Sequence, residues 1–242
     1  MLLLALAIAP GIAISLFIYS RDRFDREPKR FLVLSFILGM LATIPPLIIQ
    51  TLAGYASSHS VLHSVLNYAF YAYVIVALSE EASKFLVLRY YAYPKRTFNE
   101  PFDGIVYGVM IGMGFATIEN IEYVERFGFQ TGLVRFFLSV PAHGSFAVLM
   151  GYYVGLAKSH ADKSVSLMVK GLLVPVFFHG SFDFFVFLQK DQRITAYLSE
   201  GLLSFGAFAT FYIALRLALK TIRQHQMNIS DRRMGSIREK KY

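Results

Sequence analysis

Apolar residues in this chain fall into long blocks, each separated from the next by a short polar gap. The blocks run roughly from Leu2 to Tyr19, Phe31 to Leu52, Asn67 to Tyr91, Gly104 to Tyr123, Leu133 to Ala157, Gly171 to Leu188 and Tyr197 to Leu219. A block of about 18 residues or more can cross a hydrocarbon core as a helix, which satisfies its own backbone hydrogen bonds there. The pattern predicts an all-α, polytopic membrane helix bundle with about seven transmembrane helices. No positive segment precedes Leu2, so the first block is expected to be a retained span and not a cleaved signal. Residues 1–222 are predicted to form one integral-membrane domain, and residues 223–242 a basic cytoplasmic tail without fixed structure.

Composition and charge sharpen this reading. Of the 242 residues 55% are hydrophobic and 17% charged, against about 25% charged in soluble domains, which excludes a soluble globular domain. The net charge of +8 sits mostly in the gaps and the tail, so topology explains it better than a nucleic-acid partner. Arg21, Arg23, Arg26, Lys29 and Arg30 fill the first gap, the second gap has no Lys or Arg, and the tail is rich in both. Cytoplasmic loops retain such charge, which predicts a cell-membrane protein with its N-terminus outside and C-terminus cytoplasmic. With no Cys in the chain, disulfides, thiolate metal sites and cysteine nucleophiles are excluded.

The candidate chemistry lies in what interrupts the apolar blocks, because an ionisable side chain in a membrane costs several kcal/mol unless paired or hydrated. The third block carries Ser79-Glu80-Glu81-Ala82-Ser83-Lys84. Lys84 is four residues from Glu80 and three from Glu81, so its ammonium can neutralise a carboxylate on the same helix face. A purely structural ion pair accounts for that much, yet one acid remains unpaired by this helix. In the fourth block Gly104, Gly108 and Gly112 make a smooth strip for close helix packing; Glu119 is expected to face the site and Glu122 to reach interfacial water.

The fifth and sixth blocks each contain His-Gly-Ser-Phe, beginning at His143 and at His179. Asp183 follows His179 by four residues, so its carboxylate can orient that imidazole. Pro141 and Pro175 precede the two histidines and remove intrahelical hydrogen bonds, which can open room for water. Glu80, Glu81, Glu119, His143, His179 and Asp183 therefore make a candidate water-activating site. In such a site a carboxylate takes a proton from water while imidazoles or a metal stabilise the oxyanion. Two His and one Glu are also a catalytic zinc ligand set, although no HExxH pattern is present. An ion- or proton-coupled transporter uses the same residue types, and on spacing alone the two readings stand level.

The order Glu80-Glu81-x-x-Lys84, Asp103-Gly104-x-x-Tyr107-Gly108, Gly114-Phe115-Ala116-x-x-Glu119-Asn120-x-x-Tyr123, His143 and His179-x-x-x-Asp183 closely resembles the PrsW family of intramembrane proteases. The resemblance covers about Ser79 to Asp183. More distantly, the chain resembles CAAX prenyl endopeptidases and bacteriocin-immunity membrane proteins. The resemblance implies a site-1 cut in a single-pass membrane protein, typically an anti-sigma factor. It also implies Glu80 as general base, Glu81 and Lys84 as its support, and Asp183 as the residue that orients His179. His143 and His179 would polarise the scissile carbonyl or, with Glu119, bind zinc. CAAX enzymes generally have His where this chain has Glu119, so their prenylated substrates are not implied. A metal centre and a metal-free, Glu-activated water both remain open, as do the transporter and a non-catalytic immunity-type protein.

If one site is formed, Glu80, Glu119, His143 and His179 should share a cavity about 10 Å or less across. Counted along the blocks, three of the four lie nearer the outer ends of their helices. That predicts a cavity hydrated from the non-cytoplasmic side, with Glu80 discordant at about 20 Å below Asn67.

Overall fold

The computed structural model describes residues 2–22, 25–57 and 65–239, with the backbone alone for residues 55–57 and 225–239. Arg23 of the first gap and residues 240–242 of the tail lie outside the described residues. The described residues are helical throughout, apart from short connections.

Proline shapes the second block. It bends between α2 (Lys29–Leu41) and α3 (Ile44–Ser57), where Pro45 and Pro46 follow the bend. Pro46 has no N–H for the Ala42 carbonyl one turn back. That carbonyl instead accepts from Ser83 Oγ at 2.6 Å, so the bend in the second block anchors the helix that carries the acidic motif. That helix runs from α4 (Val65–Phe70) through π-helical turns at Tyr71–Leu78 into α5 (Ser79–Val87), and then through further π-helical turns at Leu88–Ala92. Wider turns of this kind are rare and cluster at functional sites; here they bracket Glu80, Glu81 and Lys84.

The centre of the bundle is α6 (Pro101–Phe137), whose residues from Phe102 to Thr117 are all buried. Its glycines serve two faces. A β-carbon on Gly104 would lie 2.2 Å from the Gly151 carbonyl oxygen of α7 (Ser139–Ser159), and one on Gly108 would lie 2.8 Å from that of Ala147. Gly114 points the other way, where a β-carbon would lie 2.0 Å from the Phe36 carbonyl oxygen of α2. α1 (Leu2–Arg21) packs beside it, Gly11 against Thr117.

Gly128 reverses the chain. At φ 79° and ψ −165° it is non-helical, in a region essentially closed to residues with a side chain. Beyond it the helix folds back antiparallel: Gly132 lies against Val124, Arg135 against Asn120, Ala147 against Gly108 and Gly151 against Gly104. Each pair is centred on Gly128 to within a residue. α8 (Ser164–Leu188), the short α9 (Gln192–Thr195) and α10 (Glu200–Glu239) complete the bundle.

Among the described residues five stretches are long and apolar enough to cross a membrane: Leu2–Arg21, Lys29–Gly54, Pro101–Ser159, Ala161–Leu188 and Glu200–Gln224. The count of about seven predicted from the blocks is not confirmed. The fourth and fifth blocks lie in one stretch of 59 residues, folded on itself at Gly128, and the third block, with Glu80, Glu81, Lys84 and Arg89, is not among the five. The tail also departs from expectation, since α10 continues to Glu239. A helix already nucleated in the bundle extends at little cost through Arg, Gln, Met and Glu.

Large apolar side chains such as Leu16, Leu52, Phe177 and Phe205 are exposed on the outside, as a lipid-facing surface requires. One end of the bundle is tied together by loop contacts. There Asn99 donates to Asp25 at 3.2 Å, Lys158 to the Tyr93 carbonyl at 2.6 Å, and Tyr107 to buried Glu27. This end carries Arg21, Arg26, Lys29, Arg30, Lys95 and Arg96 of the first and third gaps.

Candidate active site

Glu80, Glu81, Lys84, His143 and His179 are each 5% exposed or less, and buried charges of this kind persist only when paired. Lys84 is the hub. Its ammonium donates to Glu81 Oε1 at 2.8 Å, lies 3.5 Å from Glu80 Oε2 and 3.2 Å from His143 Nδ1, and sits 4.0 Å from the centre of the Phe115 ring. One cation thus meets both carboxylates of its own helix and an imidazole of α7. Glu80 Oε1 also accepts from Gln50 Nε2 of α3 at 3.1 Å.

His179 is clamped on both sides. Nδ1 is 2.8 Å from Glu81 Oε1, while Nε2 is 3.2 Å from Asp183 Oδ2 and 3.9 Å from Glu80 Oε2. Phe146 stacks on the ring at 5.4 Å, and the His143 ring meets it edge-on at 5.0 Å. His143 Nε2 is 2.9 Å from Glu119 Oε2, and that same oxygen is 3.1 Å from the Arg135 guanidinium. The two His-Gly-Ser-Phe segments therefore meet, with Phe146 of one packed on the histidine of the other.

All four residues expected to converge do so: Glu80, Glu119, His143 and His179 line one cavity of about 1260 Å³, with Asp183. The cavity runs along the helix face from Asn67 to Glu80, so the depth that made Glu80 discordant is the depth of the cavity. Glu81 and Lys84 do not line it; they support Glu80 from behind. Glu122, expected to reach interfacial water, pairs with Arg126 at 2.8 Å, and both also line the cavity. Gln50 and Arg135 went unrecognised in the sequence. Arg135 lies inside the fifth apolar block, which is a usable signal; Gln50 carries none.

The donor set also fits a divalent ion. Ligand atoms of Glu80, His143 and His179 lie within 4.8 Å of one another, and tetrahedral ligation at ~2.1 Å requires separations of roughly 3.4 Å. Closing that difference would also require His143 Nδ1 to exchange the Lys84 ammonium, 3.2 Å away, for the ion. Glu80 Oε2 is buried without a hydrogen-bond partner, and Glu81 and Glu119 hold the far nitrogens of the two histidines, the outer-sphere arrangement common around ligating imidazoles. Glu119, expected as a ligand, stands behind His143 in this structure.

The model of the PrsW family intramembrane metalloprotease matches residues 27–218. The chain belongs to the PrsW family. Protease PrsW of Bacillus subtilis is 36% identical over 183 residues, 75% of this chain and 81% of that protein. Protease PrsW of Geobacillus kaustophilus is 34% identical over 190 residues, 78% and 81% of the two chains, and that of Clostridioides difficile 32% over 198 residues, 79% and 82%. No solved structure matches the chain. This PrsW family member is thus a multi-pass membrane protease, which sets aside the transporter and immunity-type readings. The matched region contains every cavity residue described above.

Proposed function

We propose that this protease makes a site-1 cut in a single-pass membrane protein such as an anti-sigma factor, near the non-cytoplasmic end of its transmembrane segment. The observation that carries the proposal is the direction of the cavity. Its lining extends from Glu80 to Ala53, Asn67, Phe127 and Lys190, residues at the end of the bundle opposite the basic loops. Basic loops mark the cytoplasmic side, so the mouth faces outward. At about 1260 Å³ the cavity exceeds the roughly 300–1,000 Å³ of small-ligand pockets, which suits a polypeptide segment.

Of the two adjacent glutamates Glu80 is the one that lines the cavity, and in the metal-free protein it takes a proton from water. The hydroxide formed attacks the scissile carbonyl, and the same proton passes from Glu80 to the leaving amine as the peptide bond breaks. Lys84, Glu81 and Gln50 hold Glu80 in place, while Asp183 and Glu81 fix the plane of the His179 ring. His143 and His179 line the cavity, and each would polarise the carbonyl oxygen by turning its Nε2–H from Glu119 or Asp183 towards the substrate. A zinc ion held by Glu80, His143 and His179 would instead supply a Lewis acid that activates water, with Glu80 as a ligand and not the base. The test is cleavage of a purified single-pass substrate by the wild type and by Glu80→Gln, with Glu122→Gln as control. Glu80→Gln should remove activity while the protein remains folded and membrane-inserted, and Glu122→Gln should retain it; equal loss in both refutes the assignment.

A further inference from the structure

Arg135 is an expensive residue to bury, and its whole environment is directed at one carboxylate. The guanidinium is 3.1 Å from Glu119 Oε2; its Nε donates to Asn120 Oδ1 at 3.0 Å, and the group lies 4.0 Å from the centre of the Tyr123 ring. Asn120 is fixed in turn by donating to the Ala7 carbonyl of α1 at 2.9 Å. The reversal at Gly128 is what brings Arg135 here, since fifteen residues of unbroken helix would place it about 22 Å from Asn120.

His143 shows what this arrangement controls. Its Nδ1 faces the Lys84 ammonium, which has no acceptor, so Nδ1 must present its lone pair. Its proton is therefore on Nε2, which lies 2.9 Å from Glu119 Oε2. Glu119 lines an open cavity and, apart from Arg135, nothing described holds its carboxylate on that nitrogen except the histidine itself. We infer that Arg135 is a positioning residue that, by anchoring Glu119 beside Nε2, holds the His143 ring in the one orientation that presents Nδ1 to Lys84. A lysine at this position offers a point charge and cannot donate to Asn120 while facing Glu119 as the planar guanidinium does.

The kinetic part of this inference rests on the proposed role of His143; its spectroscopic part does not. In protein labelled with ¹⁵N-histidine, with His143 assigned by loss of its signals in His143→Gln, wild type should show one fixed Nε2–H pattern. Arg135→Gln and Glu119→Gln should both replace it with averaged shifts, and Arg135→Lys should fall between. Turnover should drop about 100-fold in Arg135→Gln with KM little changed, and the Glu119→Gln/Arg135→Gln double variant should be no worse than Glu119→Gln alone. If Arg135→Gln does not fold, Asn120→Ala removes one anchor and keeps the ion pair, and should give the same spectral change in smaller degree. An unchanged His143 pattern in any folded variant lacking the guanidinium overturns the inference. So does a rise in KM with kcat unchanged, which makes Arg135 a substrate-binding group, or losses that multiply in the double variant. Wild type without protease activity but with the expected spectra would refute the catalytic proposal and leave the positioning intact.

Discussion

Gly151→Ala is expected to disable this protease through geometry alone, without touching a polar group. A β-carbon at Gly151 would lie 2.1 Å from the Gly104 carbonyl oxygen, 2.6 Å from its carbonyl carbon and 2.7 Å from Ile105 Cα. All three are backbone atoms of α6, so no side chain can rotate away. Restoring an ordinary contact of about 3.4 Å requires α6 and α7 to separate by roughly 1 Å. Overpacking of this kind costs about 1–3 kcal/mol, which for a chain of this size is a loss of roughly 2–12 °C in Tm. The same two helices carry His143, about two turns before Gly151, and Glu119, about four turns beyond Gly104. Their 2.9 Å contact would open beyond hydrogen-bond range, and a misplacement of about 1 Å can lower turnover some 100-fold. Thermal unfolding in detergent and cleavage of a single-pass substrate measure the two effects. Gly201→Ala on α10 is the control, because a β-carbon there meets nothing within 4 Å. If Gly151→Ala matches Gly201→Ala in both assays, the close packing of α6 on α7 does not hold the site together.

If a divalent ion occupies the Glu80, His143 and His179 donors, a strong chelator should abolish cleavage and added zinc restore it; full activity in metal-free protein would leave Glu80 as the base. Cysteines placed beside His143 and His179, in a chain with no native Cys, should react with a membrane-impermeant thiol reagent from the outer face. Labelling only from the cytoplasmic face overturns the outward mouth. In the loop after α1, burial raises the Asp22 carboxyl from its ordinary 3.8 to about 6 despite the hydrogen bond from the Glu27 N–H. A raised carboxyl pKa favours the protonated fold, so its ionisation opposes folding above about pH 6 and the penalty fades towards pH 4. Asp22→Asn should therefore unfold at a higher temperature than wild type at pH 8, and the two should converge below pH 4. A constant difference across that range would mean that Asp22 acts through shape and not charge.

Much of this protein was legible in one dimension. Apolar blocks, basic gaps and the acidic and histidine motifs depend on residue type and spacing alone, and they led to a helical membrane bundle, to Glu80, Glu119, His143, His179 and Asp183, and to the PrsW family. Periodicity even anticipated the close packing of Gly104, Gly108 and Gly112, because residues four apart on a helix share a face whatever they pack against. What lay beyond it was set by contacts between residues distant in the chain. Only the reversal at Gly128 makes Arg135, a residue of the fifth apolar block, the partner of Glu119, and only the bend at Pro45 and Pro46 frees the Ala42 carbonyl for Ser83 and brings Gln50 to Glu80. Which of two adjacent glutamates faces the cavity was likewise beyond the sequence, since both can pair with Lys84 along one helix. The neighbouring helices decide it: His179 draws Glu81 inward, and Glu80 is left at the cavity wall.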